Sequence, residues 1–289
     1  MSSDDKLNQF HDRRREIITN DGTRLSVIDA GGGPPIVILP AWSNAAIEYW
    51  RQIVDFSLDH RVIAIDMRGH GESEKTPHGY RVSRFAADLQ CVIDTLSIAN
   101  ATLMGHSMGC SVIWSYLDLY GQQNLSKLIF VDQAATQLIQ PQWSEEERLS
   151  FGARDTPEEL FAFCAGLAGP DGERQTRELF LGLFTPSFPP AEAETIVGEI
   201  LKMPRRHAAT LMLDHATRDW RELIGQIRLP SLVVGARESV FPVESQAWIA
   251  QQIPSARLEI FDADDGGSHF MCFENPGRFN TMVREFLSA

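Results

Sequence analysis

The amino-acid sequence predicts an α/β fold built on one mostly parallel, eight-stranded sheet with helices on both faces. Short apolar runs of strand length alternate with amphipathic stretches of helical length, which is the pattern of parallel strands joined by helices. The chain has 289 residues, 43% of them hydrophobic, so it can bury a large core. Together these observations predict one enzyme-sized globular unit.

The sheet is predicted to open with an antiparallel hairpin. Residues 15–19 and 24–30 are strand-like, and they flank Asn-Asp-Gly at residues 20–22, a sequence typical of a tight turn. Later strands are short apolar runs, and the helices between them repeat apolar residues at helical spacing. The other predicted strands are residues 35–39, 61–66, 101–104, 127–131, 231–234 and 257–261, and the helices are residues 46–57, 82–96, 110–120, 243–252 and 276–287.

The alternation stops between residues 134 and 227, where helical sequence is broken repeatedly by proline. This segment is predicted to be a helical cap inserted into the core, which divides the chain into core residues 1–133, cap residues 134–227 and core residues 228–289. Apolar side chains recur at helix-face spacing in the cap, and they either pack it onto the core or line a substrate pocket. They are Phe161, Phe163, Leu167, Phe180, Leu183 and Phe184.

Composition and charge exclude several functions. The formal net charge of −13, from 26 basic and 39 acidic side chains, opposes binding to a phosphate backbone, so we expect no nucleic acid partner. No apolar run approaches the roughly 18 residues of a membrane span, and we expect no membrane partner. Residues 1–6 are polar and lack the apolar segment of a secretory signal, which favours a cytoplasmic protein. We expect a small-molecule substrate, and the sequence leaves open whether the chain forms a homodimer.

The sequence Gly-His-Ser-Met-Gly at residues 105–109 is the most informative short motif. It follows a strand-like run and precedes a helix-like run, which is the context of a nucleophile elbow. In such an elbow the serine stands on a turn so tight that the flanking positions need glycine. The motif therefore predicts that Ser107 stands on a nucleophile elbow.

Four motifs together resemble the α/β-hydrolase superfamily, over about residues 15–287. They are Asp-Met-Arg-Gly-His-Gly-Glu-Ser at residues 66–73, the elbow at 105–109, Pro-Ser-Leu-Val-Val-Gly at 230–235, and Gly-Ser-His-Phe at 267–270 leading to Glu-Asn-Pro at 274–276. In that superfamily the serine comes first, then the acid, then the histidine. The resemblance implies a nucleophilic Ser107, a structural turn at His70, and neither metal nor organic cofactor.

His269 is the candidate general base, because it follows the last predicted strand at the sheet edge where α/β sites form. An imidazole that accepts its proton makes a serine hydroxyl a competent nucleophile. The resemblance leaves two positions for the acid that orients this imidazole. Asp132, directly after the strand 127–131, is favoured over Glu238, because an orienting carboxylate needs short and fixed geometry.

The oxyanion hole is predicted from main-chain donors. The segment after strand 35–39 reads Pro-Ala-Trp, where ordinary esterases carry His-Gly. The backbone N–H groups of Trp42 and Met108 can still hold a developing oxyanion, because such donors do not depend on side-chain identity.

The sequence thus predicts a serine hydrolase that cleaves a small, fairly apolar ester, lactone or related carbonyl compound. Leu-Pro-Ala-Trp at residues 39–42 is also similar to a small branch of the superfamily, the cofactor-free dioxygenases that open hydroxyquinolone rings with release of carbon monoxide. That branch uses the histidine with an aspartate at the Asp132 position as the base, and its serine only binds the substrate. It carries a histidine where this chain has Asn44, so the similarity is partial. A ligand-binding receptor on the same scaffold is the third hypothesis.

Overall fold

The computed structural model describes residues 10–289, so the polar segment at residues 1–6 lies outside the described residues. Eight strands form one sheet, and all eight predicted strands match to within two residues at each end. The strands are β1 (Arg14–Ile18), β2 (Arg24–Gly31), β3 (Pro35–Leu39), β4 (Arg61–Asp66), β5 (Ala101–His106), β6 (Leu125–Val131), β7 (Ser231–Ala236) and β8 (Ala256–Phe261).

The sheet is mixed, although most of it is parallel. Its strand order is β1-β2-β4-β3-β5-β6-β7-β8. β1 and β2 form the predicted antiparallel hairpin, whose turn is closed by a hydrogen bond from Gly22 N to Thr19 O at 2.9 Å. β2 is also antiparallel to β4, whereas the pairs from β4 across to β8 are parallel. The antiparallel part therefore extends one pair beyond the hairpin, because β2 lies between two strands that both run against it.

Twelve α-helices connect or flank the strands within residues 10–289. The helix predicted at residues 46–57 is divided into a 3₁₀ turn (Ala46–Tyr49) followed by α1. The helices are α1 (Trp50–Phe56), α2 (Val82–Thr95), α3 (Met108–Tyr120), α4 (Glu145–Phe151), α5 (Pro157–Ala168), α6 (Gly172–Leu181), α7 (Pro190–Ile200), α8 (Arg205–Ala216), α9 (Arg221–Ile224), α10 (Val243–Gln252), α11 (Met271–Glu274) and α12 (Pro276–Ser288).

Helices α4 to α9 lie in the chain between β6 and β7, in the segment predicted to be the cap; the division into core and cap stays a prediction. Two of these helices begin with a side-chain cap. The Ser144 and Thr156 hydroxyls accept the N–H groups of Glu147 and Glu159, which satisfies one of the free donors of the first turn. These caps favour the start of α4 at Glu145 and of α5 at Pro157.

The parallel pairing brings the ends of β5, β6 and β7 to one edge of the sheet. His106 pairs with Val131, and Val131 pairs with Val234, so the residues that follow these strands are neighbours in space. Ligand sites in α/β proteins form at this carboxyl edge. The fold thus places Ser107 and Asp132 side by side although they are far apart in sequence.

Within residues 10–289, no helix is both long enough and apolar enough to cross a bilayer. In the same part of the chain, no cluster of three or more His, Cys, Asp or Glu side chains has an arrangement that could hold a metal ion.

Candidate active site

Ser107 stands on a strained turn between β5 and α3. Its backbone has φ 51° and ψ −120°, a conformation that residues other than glycine rarely adopt. A hydrogen bond from Ser107 N to Val131 O at 2.8 Å holds this turn against β6. Ser107 is nearly buried and lines a partly open cavity.

The two glycines of the elbow are required by close backbone contacts. A Cβ atom at Gly109 would lie 2.1 Å from Leu39 O, and one at Gly105 would lie 2.6 Å from Cys110 N. Both distances are far inside van der Waals contact with main-chain atoms that cannot move away easily. The first turn of α3 therefore packs directly against the end of β3, which is where the predicted oxyanion loop begins.

The structure brings His269 and Asp132 together. The Nδ1 atom of His269 lies 2.6 Å from Oδ2 of Asp132, and both side chains are buried. Because a carboxylate accepts the proton of this contact, the neutral imidazole carries its hydrogen on Nδ1 and its lone pair on Nε2. His269 lines the same cavity as Ser107, the arrangement expected if this imidazole is the general base.

Asp132 is held in one position by its backbone and by a second donor. Its φ is 49°, and its N–H donates to Val234 O at 2.8 Å, which fixes the residue at the junction of β6 and β7. The Ser239 hydroxyl also donates to Oδ2, whereas the buried Oδ1 has no hydrogen-bond partner among the described residues. Burial raises the pKa of the Asp132 carboxyl, and the hydrogen bonds from His269 and Ser239 oppose that rise.

Glu238, the alternative acid, is not brought to His269. Its side chain is exposed to solvent. Its main chain is nevertheless important, because Glu238 N donates to Gly267 O at 2.8 Å and the residue forms an isolated bridge with Ser268. Glu238 thus supports the loop that carries His269 through its backbone, and its carboxylate points elsewhere.

The predicted oxyanion donors lie beside the elbow. Met108 is the first residue of α3, so its N–H has no partner inside the helix. Trp42 lies in a turn closed by Asn44 N donating to Ala41 O at 3.0 Å, and Ser43 has φ 65°. The side chain of Trp42 anchors this turn, since its Nε1 donates to Ala208 O at 3.0 Å. Neither backbone N–H is used in a hydrogen bond within residues 10–289.

A buried hydrogen-bond chain connects the oxyanion loop to the His269 loop. Ala41 N donates to the Tyr49 hydroxyl at 3.3 Å, and that hydroxyl lies 2.7 Å from Nδ1 of His106. Nε2 of His106 lies 2.8 Å from the carbonyl oxygen of His269, which can only accept, so Nε2 carries the proton and Nδ1 accepts from Tyr49. The donors all point in one direction along this chain, which fixes the predicted oxyanion loop relative to the loop that carries His269.

His70 has the same kind of role on the other side of the loop. Its Nε2 accepts the N–H of Ser43 at 3.0 Å and its Nδ1 donates to Arg68 O at 2.9 Å, so the ring is neutral. Burial lowers the pKa of His70 to about 4. The turn that the resemblance implied at His70 thus supports the residue next to Trp42.

We expect this burial to make the protein sensitive to acid. His70 has a lower pKa when folded than when unfolded, so its contribution to stability is fully present above about pH 6.5 and is lost progressively as the pH falls toward 4. From pH 6.5 to 5.0 this one residue should reduce the free energy of unfolding by about 2 kcal/mol. Urea unfolding of the wild type and His70→Gln at both pH values measures the difference.

The buried carboxyl of Glu48, whose pKa is raised by burial, acts in the opposite direction. Because Glu48 is present in both proteins, the difference between the wild type and His70→Gln isolates the contribution of His70 to the pH dependence of stability. An equal loss of stability on acidification in the wild type and in His70→Gln would contradict this assignment.

The cavity beside Ser107 and His269 has a volume of about 60 Å³. This is room for a few water molecules or a short acyl group. Phe180 and Leu183 line it, as expected for a pocket-facing row in the cap, whereas Phe161 is 60% exposed and Leu167 is buried away from the cavity. Other apolar lining residues are Trp42, Leu179, Met212, Val240 and Phe241.

Sequence reasoning missed three residues that shape this site: Tyr49, His106 and Ser239. His106 carried a signal, since it is a histidine inside the elbow motif, but its partners lie 57 and 163 positions away. Tyr49 and Ser239 carried none, because single hydroxyl residues in a helix or loop are common.

A family model described as "alpha/beta hydrolase fold" matches residues 34–276, which include the elbow and both partners of the His269–Asp132 pair. The chain belongs to the α/β-hydrolase fold family. The elbow, the strand-end aspartate and the late histidine thus have the chain order of that family.

Several α/β-hydrolase relatives are similar over nearly their whole length. A protein named non-heme chloroperoxidase CPO-A1, from Kitasatospora aureofaciens, is 26% identical over 93% of this chain and 98% of its own. An esterase from Rhodococcus sp. ECU1013 superposes with a TM-score of 0.81 at 25% identity, covering 96% of this chain and 99% of that one. A bromoperoxidase from Bacillus anthracis has a TM-score of 0.86 at 20% identity, covers 96% and 100%, and supports the fold alone.

Proposed function

We propose that this α/β-hydrolase is a serine hydrolase that cleaves a small, fairly apolar ester, lactone or related carbonyl substrate. The observation that carries the proposal is the pairing of His269 Nδ1 with the buried Asp132 at 2.6 Å, beside a cavity that Ser107 shares with His269. Nucleophile, base and orienting acid are the three groups that acyl transfer needs. The esterase from Rhodococcus among the similar structures supports the same class.

In the proposed mechanism, Ser107 Oγ attacks the carbonyl carbon while His269 Nε2 takes the hydroxyl proton. The negative charge that develops on the carbonyl oxygen is held by the N–H groups of Trp42 and Met108. The imidazolium then gives its proton to the departing alkoxide, which leaves an acyl group on Ser107. A water molecule, deprotonated by the same imidazole, releases the acid and restores the serine.

The second candidate is the cofactor-free dioxygenase, and the same His269–Asp132 contact is the observation that favours it. In that reaction the pair would deprotonate a bound hydroxyquinolone, and Ser107 would only bind it. The buried amide of Asn44, whose Nδ2 donates to Glu48, stands where that branch carries a histidine. The hydrolase is preferred, because its parts are all present.

The two functions differ in what they consume. We expect the purified protein to hydrolyse short-chain p-nitrophenyl esters, to take up no oxygen with a 3-hydroxyquinolin-4-one, and to release no carbon monoxide. Oxygen uptake with carbon monoxide release, in the absence of ester turnover, would replace the hydrolase by the dioxygenase. Tight binding of either compound without turnover would favour the receptor.

A further inference from the structure

One positively charged side chain lines the cavity next to Ser107 in the described part of the chain. Of the residues that line it in the described part of the chain, Arg154 alone has a side chain that is permanently charged. The other polar side chains in the lining are the Gln137 amide, the Ser107 hydroxyl and the imidazoles of His215 and His269. Burial lowers the pKa of His215 to about 3, so that ring is uncharged at neutral pH. Arg154 is paired through Nε with Asp155 at the surface, and its side chain also lines this mostly apolar wall, where it offers a positive charge to a ligand of the opposite charge.

Arg154 is held where it can reach such a ligand. Its N–H donates to Gln137 O at 2.9 Å, which ties its backbone to another residue of the cavity wall. The guanidinium carbon lies 5.3 Å from the ring centroid of Phe241, and that ring lies 6.0 Å from the ring of His269. The Phe241 ring therefore lies next to both the guanidinium group of Arg154 and the imidazole of His269.

The hydrogen-bonding capacity of Arg154 is mostly unused. Its Nε donates to Asp155 at 3.0 Å, and its two terminal nitrogens make no hydrogen bond within residues 10–289. Those two nitrogens form the end of the planar fork that binds a carboxylate through two parallel hydrogen bonds. Its side chain is 39% exposed, so a ligand can approach without breaking a buried ion pair.

We propose that Arg154 is a substrate-recognition residue that binds a carboxylate carried by the substrate, separated from the scissile carbonyl by a short apolar spacer. This inference rests on the proposed function, since it specifies the ester or lactone as an anionic one. The apolar walls, including Phe180 and Phe241, contact the spacer, and the guanidinium fork fixes its far end.

A different role for Arg154 would be electrostatic support of the catalytic pair, since its charge also favours the ionised form of Asp132. Such support would act on every substrate to the same extent. Recognition of a carboxylate would act only on substrates that have one, so a pair of matched substrates separates the two roles.

The test compares p-nitrophenyl pentanoate with the p-nitrophenyl monoester of glutaric acid, which differ only by a carboxylate in place of the terminal methyl group. The Ser107→Ala protein supplies the background rate for each. In Arg154→Gln we expect kcat/KM for the glutarate ester to fall about 10- to 100-fold, mostly through KM, and kcat/KM for the pentanoate to change less than about twofold. Arg154→Lys should lie between the two, because it keeps the charge and loses the fork.

Arg237→Gln is the matched control. Arg237 is an exposed arginine paired with Asp262 and does not line the cavity, so its removal changes the net charge equally. We expect the ratio of the two substrates to be unchanged in this variant. Raising the salt concentration from 0.05 to 0.5 M should weaken only the glutarate reaction of the wild type.

If the ratio of kcat/KM for the glutarate ester to kcat/KM for the pentanoate is the same in Arg154→Gln as in the wild type, the recognition role is overturned. Calorimetric binding of free glutarate to the wild type and to Arg154→Gln provides a readout that needs no turnover: we expect binding to weaken at least about tenfold in the variant. If Ser107→Ala hydrolysed both esters as fast as the wild type, the proposed function would fail. The glutarate titration would still decide the role of Arg154.

Discussion

Ser107→Ala is expected to lower kcat/KM for a short-chain ester by about 10⁴- to 10⁶-fold, while leaving the fold and substrate binding in place. The hydroxyl is the only nucleophile on the elbow, and the remaining oxyanion donors, Trp42 N and Met108 N, supply only residual catalysis. Steady-state kinetics with p-nitrophenyl butyrate, together with the thermal midpoint of each protein, measures both parts of this expectation.

Ser111→Ala is the control for this substitution. Ser111 lies one turn further along α3, is fully buried, and its hydroxyl has no hydrogen-bond partner in the part of the chain that the structure describes. Its replacement removes a serine from the same helix without touching the cavity, so activity should remain within about twofold of the wild type. Ester hydrolysis that survives in Ser107→Ala at the wild-type rate would show that the serine only binds the substrate.

Asp132→Asn is expected to lower kcat by about 10⁴-fold with little change in KM. An amide presents a donor or a weaker acceptor to His269 Nδ1, so the imidazole loses the tautomer that leaves Nε2 free to accept the serine proton. The substituted side chain has nearly the same shape, and the Ser239 hydroxyl still has an oxygen to bond to, so stability should change much less than activity. The kcat and KM values of the variant give the answer directly.

Glu238→Gln is the paired comparison, because it makes the same chemical change at the other acidic candidate. Its backbone bond to Gly267 is unaffected by the substitution, and its side chain is exposed. We therefore expect kcat to stay within about twofold of the wild type. A large loss in Glu238→Gln together with a small loss in Asp132→Asn would reverse the assignment of the acid.

Local features of the sequence were enough to predict the strands and the elbow. Strands such as Pro35–Leu39 are short apolar runs bounded by turn residues. Glycine is required at positions 105 and 109 because a Cβ atom there would lie only 2.6 and 2.1 Å from backbone atoms. Both signals lie within a few residues of the feature that they predict. The antiparallel pairing of β2 with β4 carries no such signal, because the order of strands in a sheet depends on connections and not on apolar periodicity.

The sequence favoured Asp132 over Glu238 as the acid but kept both candidates open, for a similar reason. Both follow a strand that ends at the same sheet edge, so both are close to the elbow. The path of one loop decides between them: Glu238 uses its backbone to hold Gly267, which turns its side chain outward. Asp132 directly follows the last residue of β6, and its N–H donates to Val234 O, so its position does not depend on the path of a loop.

The hydrogen-bond partners of His106 and the position of the Arg154 side chain at the cavity could not be predicted from the sequence, although His106 itself stands inside the elbow motif. His106 joins Tyr49 to the carbonyl of His269, and Arg154 reaches the cavity from the segment between α4 and α5. Both arrangements depend on how distant elements pack, so neither leaves a pattern at fixed spacing.

We propose that Ser107 is a nucleophile activated by His269. Treatment of the purified protein with a fluorophosphonate, followed by intact-mass measurement and peptide mapping, tests it most directly, because this reagent reacts with activated serines and the adduct is stable. We expect one adduct per chain, located on Ser107, with loss of ester hydrolysis in proportion to labelling and no adduct in His269→Ala. Ester hydrolysis that persists with Ser107 unlabelled, or an adduct on a different serine, would contradict it.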